Sequence, residues 1–170
     1  MAKEYFMIKL ILLDVDGTMT DGGIYIDGIG GGFKKFNVKD GYSIVHAQNL
    51  GIDFGIITGK KSNIVKLRAE ELHMKYLYQG ISDKAEVLEK ILIKSKLDKS
   101  QIAYMGDDLN DFHIMKRVGL SGAPGDAAQE ICDIADFVSN KKGGEGAVRE
   151  FVEYILKKDG KWKQFLENVK

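Results

Sequence analysis

Short apolar runs that stop abruptly at a polar residue or a glycine recur along this chain, and they dictate its architecture. Residues 8–13, 53–57, 76–78 and 102–105 are such runs, too short for helices and best read as strands buried on both faces of a parallel sheet. Between them lie segments with helical spacing: 40–50, 62–72 (Ile64, Val65, Leu67, Leu72), 83–94 (Val87, Leu88, Ile91, Leu92) and 109–118. Strand alternating with helix predicts an α/β fold built on a doubly wound parallel sheet. A strand near Leu120, a helix over 126–132, a short strand at Phe137 and a helix over 147–157 complete the series. The 170 residues suit one compact unit spanning 1–170.

Two segments break the alternation. Residues 23–37 read as a β-hairpin inserted after the first strand: Ile24, Tyr25 and Ile26, then a turn holding Gly28, Gly30, Gly31 and Gly32, then Phe33 to Phe36. The insertion is too short for a separate cap domain. In the tail, about 159–170, Trp162, Phe165, Leu166 and Val169 fall on one face of a short helix after Gly160, a face that should dock on something.

Composition excludes several roles. The chain carries 25 Lys+Arg against 25 Asp+Glu, so no global field attracts nucleic acid or an anionic membrane. No apolar stretch approaches the roughly 20 residues that span a bilayer, and no signal-peptide pattern is visible. Cys132 is the only cysteine; it can form no internal disulfide and no zinc site, which suits a reducing, cytoplasmic setting.

The strongest chemical signal is Asp14-Val15-Asp16-Gly17-Thr18, directly after the first strand. Acidic side chains at the carboxyl end of a central parallel strand stand where open α/β sheets bind ligands. A calcium EF-hand loop is excluded by spacing, since counting from Asp14 puts Met19 where Gly is needed and Tyr25 where Glu is needed. A second cluster, Gly106-Asp107-Asp108-Leu109-Asn110-Asp111, follows the fourth strand. In a sheet of order 3-2-1-4-5 the two strand ends are neighbours at the switch point, which gathers Asp14, Asp16, Asp107, Asp108 and Asp111 around one crevice. Two unit charges 4 Å apart repel by about 4 kcal/mol at an effective dielectric near 20, so such carboxylates must protonate or hold a cation. An oxygen-only ligand set beside a phosphorylated substrate points to magnesium, Mg2+. Spacing alone leaves open that Asp108 and Asp111 merely cap the helix that follows.

Thr58 and Gly59 end the second strand, where a hydroxyl and free N–H groups can hold a phosphoryl oxygen. Lys84, at the start of the next helix but one, can balance negative charge. Each signal is weak alone; their order along the chain is informative.

That ordered set resembles the haloacid dehalogenase-like phosphatase superfamily, with its Rossmann-like fold. More narrowly, the chain is similar to the small capless phosphatases of 3-deoxy-D-manno-octulosonate 8-phosphate (KDO 8-phosphate) and of related nine-carbon sugar acids. The likeness is carried by LDVDGTMTDGG (13–23), FNVKDG (36–41), IITGK (56–60), YMGDDLND (104–111) and GGEGAVRE (143–150). It implies that Asp14 is the nucleophile, forming an aspartyl-phosphate, and that Asp16 is the acid and then the base. It further implies magnesium on Asp14, the carbonyl of Asp16, and Asp107. Thr58 and Lys84 would stabilise the phosphoryl group, with Asp108 and Asp111 orienting ligands and Lys84 from behind. The implied reaction releases KDO and phosphate in lipopolysaccharide precursor synthesis. The implied assembly is a homotetramer in which the hairpins form a small barrel and neighbouring subunits wall the open site.

For the substrate carboxylate the sequence offers Lys60 and Arg68, beside Gly59. The family more commonly has Arg after the Thr-Gly pair; Lys60 is a point charge without the bidentate fork, which keeps KDN 9-phosphate and N-acetylneuraminate 9-phosphate open as substrates. Other classes fit worse. In a phospho-acceptor signalling module the reactive Asp follows the third strand, which here ends in Tyr78-Gln79-Gly80. Gly28 to Gly32 lacks the Lys-Ser/Thr of a P-loop, and Phe33 stands where a dinucleotide motif needs its third Gly. His46, His73 and His113 show no metal-ligand spacing.

Overall fold

The computed structural model describes residues 7–169. The chain runs β1 (Leu10–Leu13), β2 (Tyr25–Ile26), β3 (Gly32–Phe33), α1 (Val38–Gln48), β4 (Asp53–Thr58), α2 (Asn63–Glu71), β5 (Tyr76–Gln79) and α3 (Lys84–Ser95). It continues through β6 (Ile102–Met105), α4 (Phe112–Met115), β7 (Leu120–Ala123), α5 (Gln129–Ile134), β8 (Phe137–Val138), α6 (Ala147–Lys158) and α7 (Trp162–Asn168). Six strands form one parallel sheet in the order β5-β4-β1-β6-β7-β8, while β2 and β3 pair separately as an antiparallel hairpin. This is the predicted doubly wound order with β8 added at the edge. Among the described residues, no helix is long and apolar enough to cross a membrane.

The unbroken apolar runs have a direct cause: β1 feeds two cores at once. Ile11 and Leu13, with Ala103 and Met105 of β6, pack toward Ile44 of α1 and Val148, Phe151 and Ile155 of α6. Leu10 and Leu12, with Ile102 and Tyr104, pack toward Val87, Leu88 and Ile91 of α3 and Ile114 of α4. Each such side chain contributes roughly 1.5–3 kcal/mol on burial, and a one-residue slip would exchange the two faces. Register is therefore firmly specified. Leu13 lies opposite both Ile56 and Met105, so the residues that follow β1, β4 and β6 emerge along one edge of the sheet.

Three segments differ from their predicted extents. The helix predicted over 109–118 is a tight 3-10 turn (Leu109–Asp111) followed by one turn of α4, because the Asp111 carboxylate folds back to accept the N–H groups of Asp107 and Asp108. The helix predicted over 126–132 starts later, at Gln129, because Asp126 instead accepts the Gly143 N–H at 2.9 Å. In the hairpin the ladder spans only two residues per strand, and Phe36 pairs instead with Thr20 as an isolated bridge. The tail docks within the chain: Phe165 is buried, Trp162 stacks on it at 5.1 Å, and its ring meets His46 of α1 edge-on at 6.3 Å. Leu166, predicted on the same face, stays exposed.

Candidate active site

The loop after β1 is short and heavily braced. The Thr20 hydroxyl accepts the N–H groups of Gly17 and Gly22 and donates to the Val15 carbonyl. Gly17 has φ +89°, and a Cβ there would come within 1.9 Å of an Asp107 carboxylate oxygen, so only glycine lets the two strand ends close on each other. Gly143 braces the same loop from behind; a Cβ on it would stand 1.8 Å from the Gly17 carbonyl oxygen, while Gly144 N–H donates to the Thr18 carbonyl. That contact accounts for the first two glycines of GGEGAVRE, a segment remote in sequence.

Asp14 lies at the β1 end, nearly buried, with its N–H bonded to the Met105 carbonyl at 3.0 Å. Lys84 opens α3, whose end is capped by Asp83 accepting from Ala85 and Glu86 N–H. Its ammonium donates to Asp14 Oδ1 at 2.6 Å, to Asp111 Oδ1 at 2.7 Å and to the Tyr104 hydroxyl at 3.1 Å. All three donors of the ammonium are thereby used. Burial works against the charged Lys84, but the Asp14 and Asp111 carboxylates outweigh it and hold its pKa above the ordinary value.

Four donors converge on Asp111: Lys84 Nζ and the Tyr104 O–H at 2.5 Å on Oδ1, and the N–H groups of Asp107 and Asp108, at 3.0 and 3.3 Å, on Oδ2. Asp108 accepts the Leu109 N–H at 2.8 Å and caps the turn. It does not touch Lys84.

Asp14, Asp107 and Asp111 each bring a carboxylate oxygen within 4.8 Å of the others. Asp111 is already saturated by its four donors, which leaves Asp14 and Asp107 as the carboxylates free to hold a cation. Thr18 donates to Asp107 at 3.3 Å. Burial, reinforced by facing carboxylates, pushes both Asp14 and Asp107 above the usual carboxylate range; on Asp14 the Lys84 ammonium partly offsets it. Two such groups pressed together and short of counter-charge are what a hard divalent cation with oxygen ligands relieves.

Thr58 ends β4, buried, and its hydroxyl makes no hydrogen bond to a described residue. With Gly59, Lys60, Asp14, Asp16, Asp107, Asp108 and Asn110 it lines a crevice of about 250 Å³. A larger cleft of about 460 Å³ continues from Asp16 and Lys60 to Asn63 and the hairpin residues Tyr25, Phe33 and Lys34. The predicted residues Asp14, Asp16, Thr58, Lys84, Asp107, Asp108 and Asp111 thus converge, and Gly59 and Lys60 stand at the rim. Arg68 does not join them: its guanidinium bonds Glu71 at 2.8 Å and lies over the Phe36 ring at 5.4 Å, lining neither cleft. Its place in the second turn of α2 carries it to the Phe36 ring at the hairpin base instead.

Four residues went unassigned from sequence. Tyr104 and Thr18 lie inside recognised segments, where an apolar strand and an Asp-Gly-Thr turn mask their bonds to Asp111 and Asp107. Asn110 is carried to the crevice by the 3-10 turn. Lys34, whose ammonium meets Asp16 Oδ1 at 2.5 Å, had no signal at all, being one of two adjacent lysines on a hairpin.

Residues 76–151 match the model of the haloacid dehalogenase-like hydrolases. The 3-deoxy-D-manno-octulosonate 8-phosphate phosphatase of Salmonella typhi is 43% identical over 154 residues, covering 91% of this chain and 82% of that protein. The crystal structure of the same-named enzyme from Yersinia pestis superposes with a TM-score of 0.89 at 42% identity, over 92% of this chain and 84% of that one. That from Moraxella catarrhalis, solved with a magnesium ion, a phosphate ion and KDO, gives a TM-score of 0.93 at 35% identity, over 96% and 94%.

Proposed function

From the premise that this chain belongs to the 3-deoxy-D-manno-octulosonate 8-phosphate phosphatase family of haloacid dehalogenase-like hydrolases, we propose that it hydrolyses that sugar-acid phosphate to KDO and inorganic phosphate. It is a phosphoric monoester hydrolase, and magnesium is its cofactor. The observation that carries the reading is the pairing of Asp14 with Lys84 on one side and its approach to Asp107 on the other. That arrangement supports one carboxylate serving both as nucleophile and as cation ligand.

In our assignment Asp14 attacks phosphorus, forming an Oδ–P bond as the bond from phosphorus to the sugar oxygen breaks. Asp16 gives its proton to that departing oxygen. Asp16 then takes a proton from water as the water attacks phosphorus, breaking the aspartyl bond and freeing phosphate. The Lys84 ammonium and the Thr58 hydroxyl stabilise the phosphoryl oxygens. The Asp14 and Asp107 carboxylates and the Asp16 carbonyl would hold the magnesium, which when bound neutralises charge on the phosphoryl oxygens. Asp111 fixes Lys84 and the amides of Asp107 and Asp108. Lys60 is our candidate for the substrate carboxylate, with Arg68 set aside by its position.

The test is phosphate release across octulosonate 8-phosphate, nine-carbon sugar-acid 9-phosphates and hexose phosphates, for the native enzyme and Asp14→Asn. We expect the highest kcat/KM on the eight-carbon substrate and no turnover by the variant. Equal rates across the panel would reduce the assignment to a general phosphatase, and an active Asp14→Asn would remove the nucleophile.

We also assign a homotetramer in the cytoplasm. The hairpin exposes Ile24, Ile26, Ile29 and Phe33, apolar area that a second copy can cover, and the lone Cys132 accords with a reducing compartment. Size-exclusion chromatography with light scattering tests the assembly: a monomer at micromolar concentration would refute it.

A further inference from the structure

Of the three carboxylates and the ammonium that the proposed reaction uses, all but one are fixed by partners from the sheet ends. Asp14 is held by Lys84, Asp107 by Thr18, and Lys84 by three acceptors. Asp16 is the exception. Its side chain is 36% exposed, and among the described residues its only hydrogen-bond partner is the Lys34 ammonium, at 2.5 Å. Lys34 comes from the inserted hairpin, 18 residues away, and its own side chain is only 19% exposed.

The hairpin is built to hold that lysine still. On one side of it Phe33 stacks on Tyr25 at 4.6 Å, and the Tyr25 hydroxyl donates to Asp21. On the other side Phe36 bridges to Thr20, the residue whose hydroxyl ties the Asp16 loop together, and Arg68 covers the Phe36 ring. Lys34 and Asp16 therefore belong to one braced unit. The turn closing the hairpin is itself ordered by Asp27 accepting the N–H groups of Ile29 and Gly31.

We infer that Lys34 is the positioning residue for the Asp16 carboxyl, aiming it at the oxygen between phosphorus and the sugar. This rests on the proposed role of Asp16 and extends it: the hairpin acts on the reaction by orienting the proton-transferring group, as well as by forming the outer wall of the cleft. Such transfer contributes about 10²- to 10⁴-fold, and a misplacement of about 1 Å can cost about 10²-fold, so loss of the only fixed partner should be visible in the rate.

Leaving-group dependence provides the test. An alkoxide needs a proton to depart, whereas the phenolate of an aryl phosphate leaves without one. Values of kcat/KM include steps only through that departure, so a slow second hydrolysis cannot mask the effect. Lys34→Met should lower kcat/KM on octulosonate 8-phosphate by about 10- to 100-fold and leave an aryl phosphate within about threefold. Lys34→Arg, which keeps charge and reach, should restore most of the loss. The ratio between the two esters is independent of how much enzyme is folded. Equal losses on both esters, no loss on either, or no rescue by Arg would overturn the inference. Asp16→Asn run alongside separates the two claims. Ester selectivity in Asp16→Asn but not in Lys34→Met rejects Lys34 alone, and its absence in Asp16→Asn rejects the role of Asp16 together with the inference.

Discussion

Lys84 and Asp111 meet at 2.7 Å with side chains 1% and 0% exposed, so the ammonium that steadies the nucleophile is itself anchored by a carboxylate with no access to water. Every hydrogen-bond partner of the Asp111 carboxylate among the described residues is a donor. An amide in its place would direct an NH₂ group at one of those donors. Asp111→Asn is therefore expected to lose about 3–5 kcal/mol of stability, the usual cost of breaking a buried pair. Urea denaturation measures it, and an unchanged midpoint would contradict the account.

Asp40 gives the fold a pH dependence outside the crevice. Its Oδ1 accepts the Arg149 N–H at 2.8 Å, bracing the start of α6, while Oδ2 is buried without a partner. Burial raises its pKa from 3.8 to about 6, against the pull of the Arg149 N–H and of the Arg68 and Arg149 charges. The folded state therefore binds this proton more tightly than the unfolded state. Stability from this group is greatest below about pH 4, falls as pH rises toward 6, and stays reduced above it, by up to about 3 kcal/mol. The difference between native and Asp40→Asn denaturation curves across that window should carry this slope; a flat difference would rule it out.

Magnesium should stabilise the free enzyme. With magnesium at about 100 times its dissociation constant, binding adds about 2.7 kcal/mol, or about 5–10 °C in Tm for a chain of this size. Because Asp14 and Asp107 both titrate above the usual carboxylate range, protons compete with the cation and the shift should shrink as pH falls. Asp107→Ala should abolish the shift while leaving the metal-free Tm no lower, since it removes a carboxyl whose ionisation burial and the Asp14 carboxylate already oppose. Differential scanning fluorimetry with and without chelator distinguishes these outcomes.

Thr58→Val tests the phosphoryl contact with little change in volume. Its hydroxyl has no described partner to lose, so stability should hold while kcat/KM falls by about 10²- to 10³-fold, the range for one lost oxyanion donor. Steady-state assays on octulosonate 8-phosphate decide it; a fall under about threefold would put the hydroxyl outside the reaction.

The strand order and most helices were legible because their cause is local and periodic. Residues 8–13 are apolar without alternation because both faces are covered. The convergence of Asp14 with Asp107 followed from strand order alone, since β1 and β6 are neighbours. The shortened helix after Leu109 was not legible: the resemblance paired Asp111 with Lys84, but nothing in the spacing marks the Tyr104 hydroxyl and the two amides that complete its set and tighten the turn. Arg68 was placed near the substrate on sequence proximity to Thr58, and the rotation of α2 took it to Phe36.

What the chain determined by itself was the set of groups that must share one end of a parallel sheet, because apolar periodicity decides register and register decides which strand ends coincide. Tertiary structure decided how those groups are divided. Asp111 is spent on Lys84 and two amides, Asp14 and Asp107 are left to face each other, and Asp16 is given to a hairpin lysine. Carboxylates carry no mark in sequence of which donors will reach them; that depends on distances of a few ångströms between segments tens of residues apart, and it is those distances that separate a ligand from a brace.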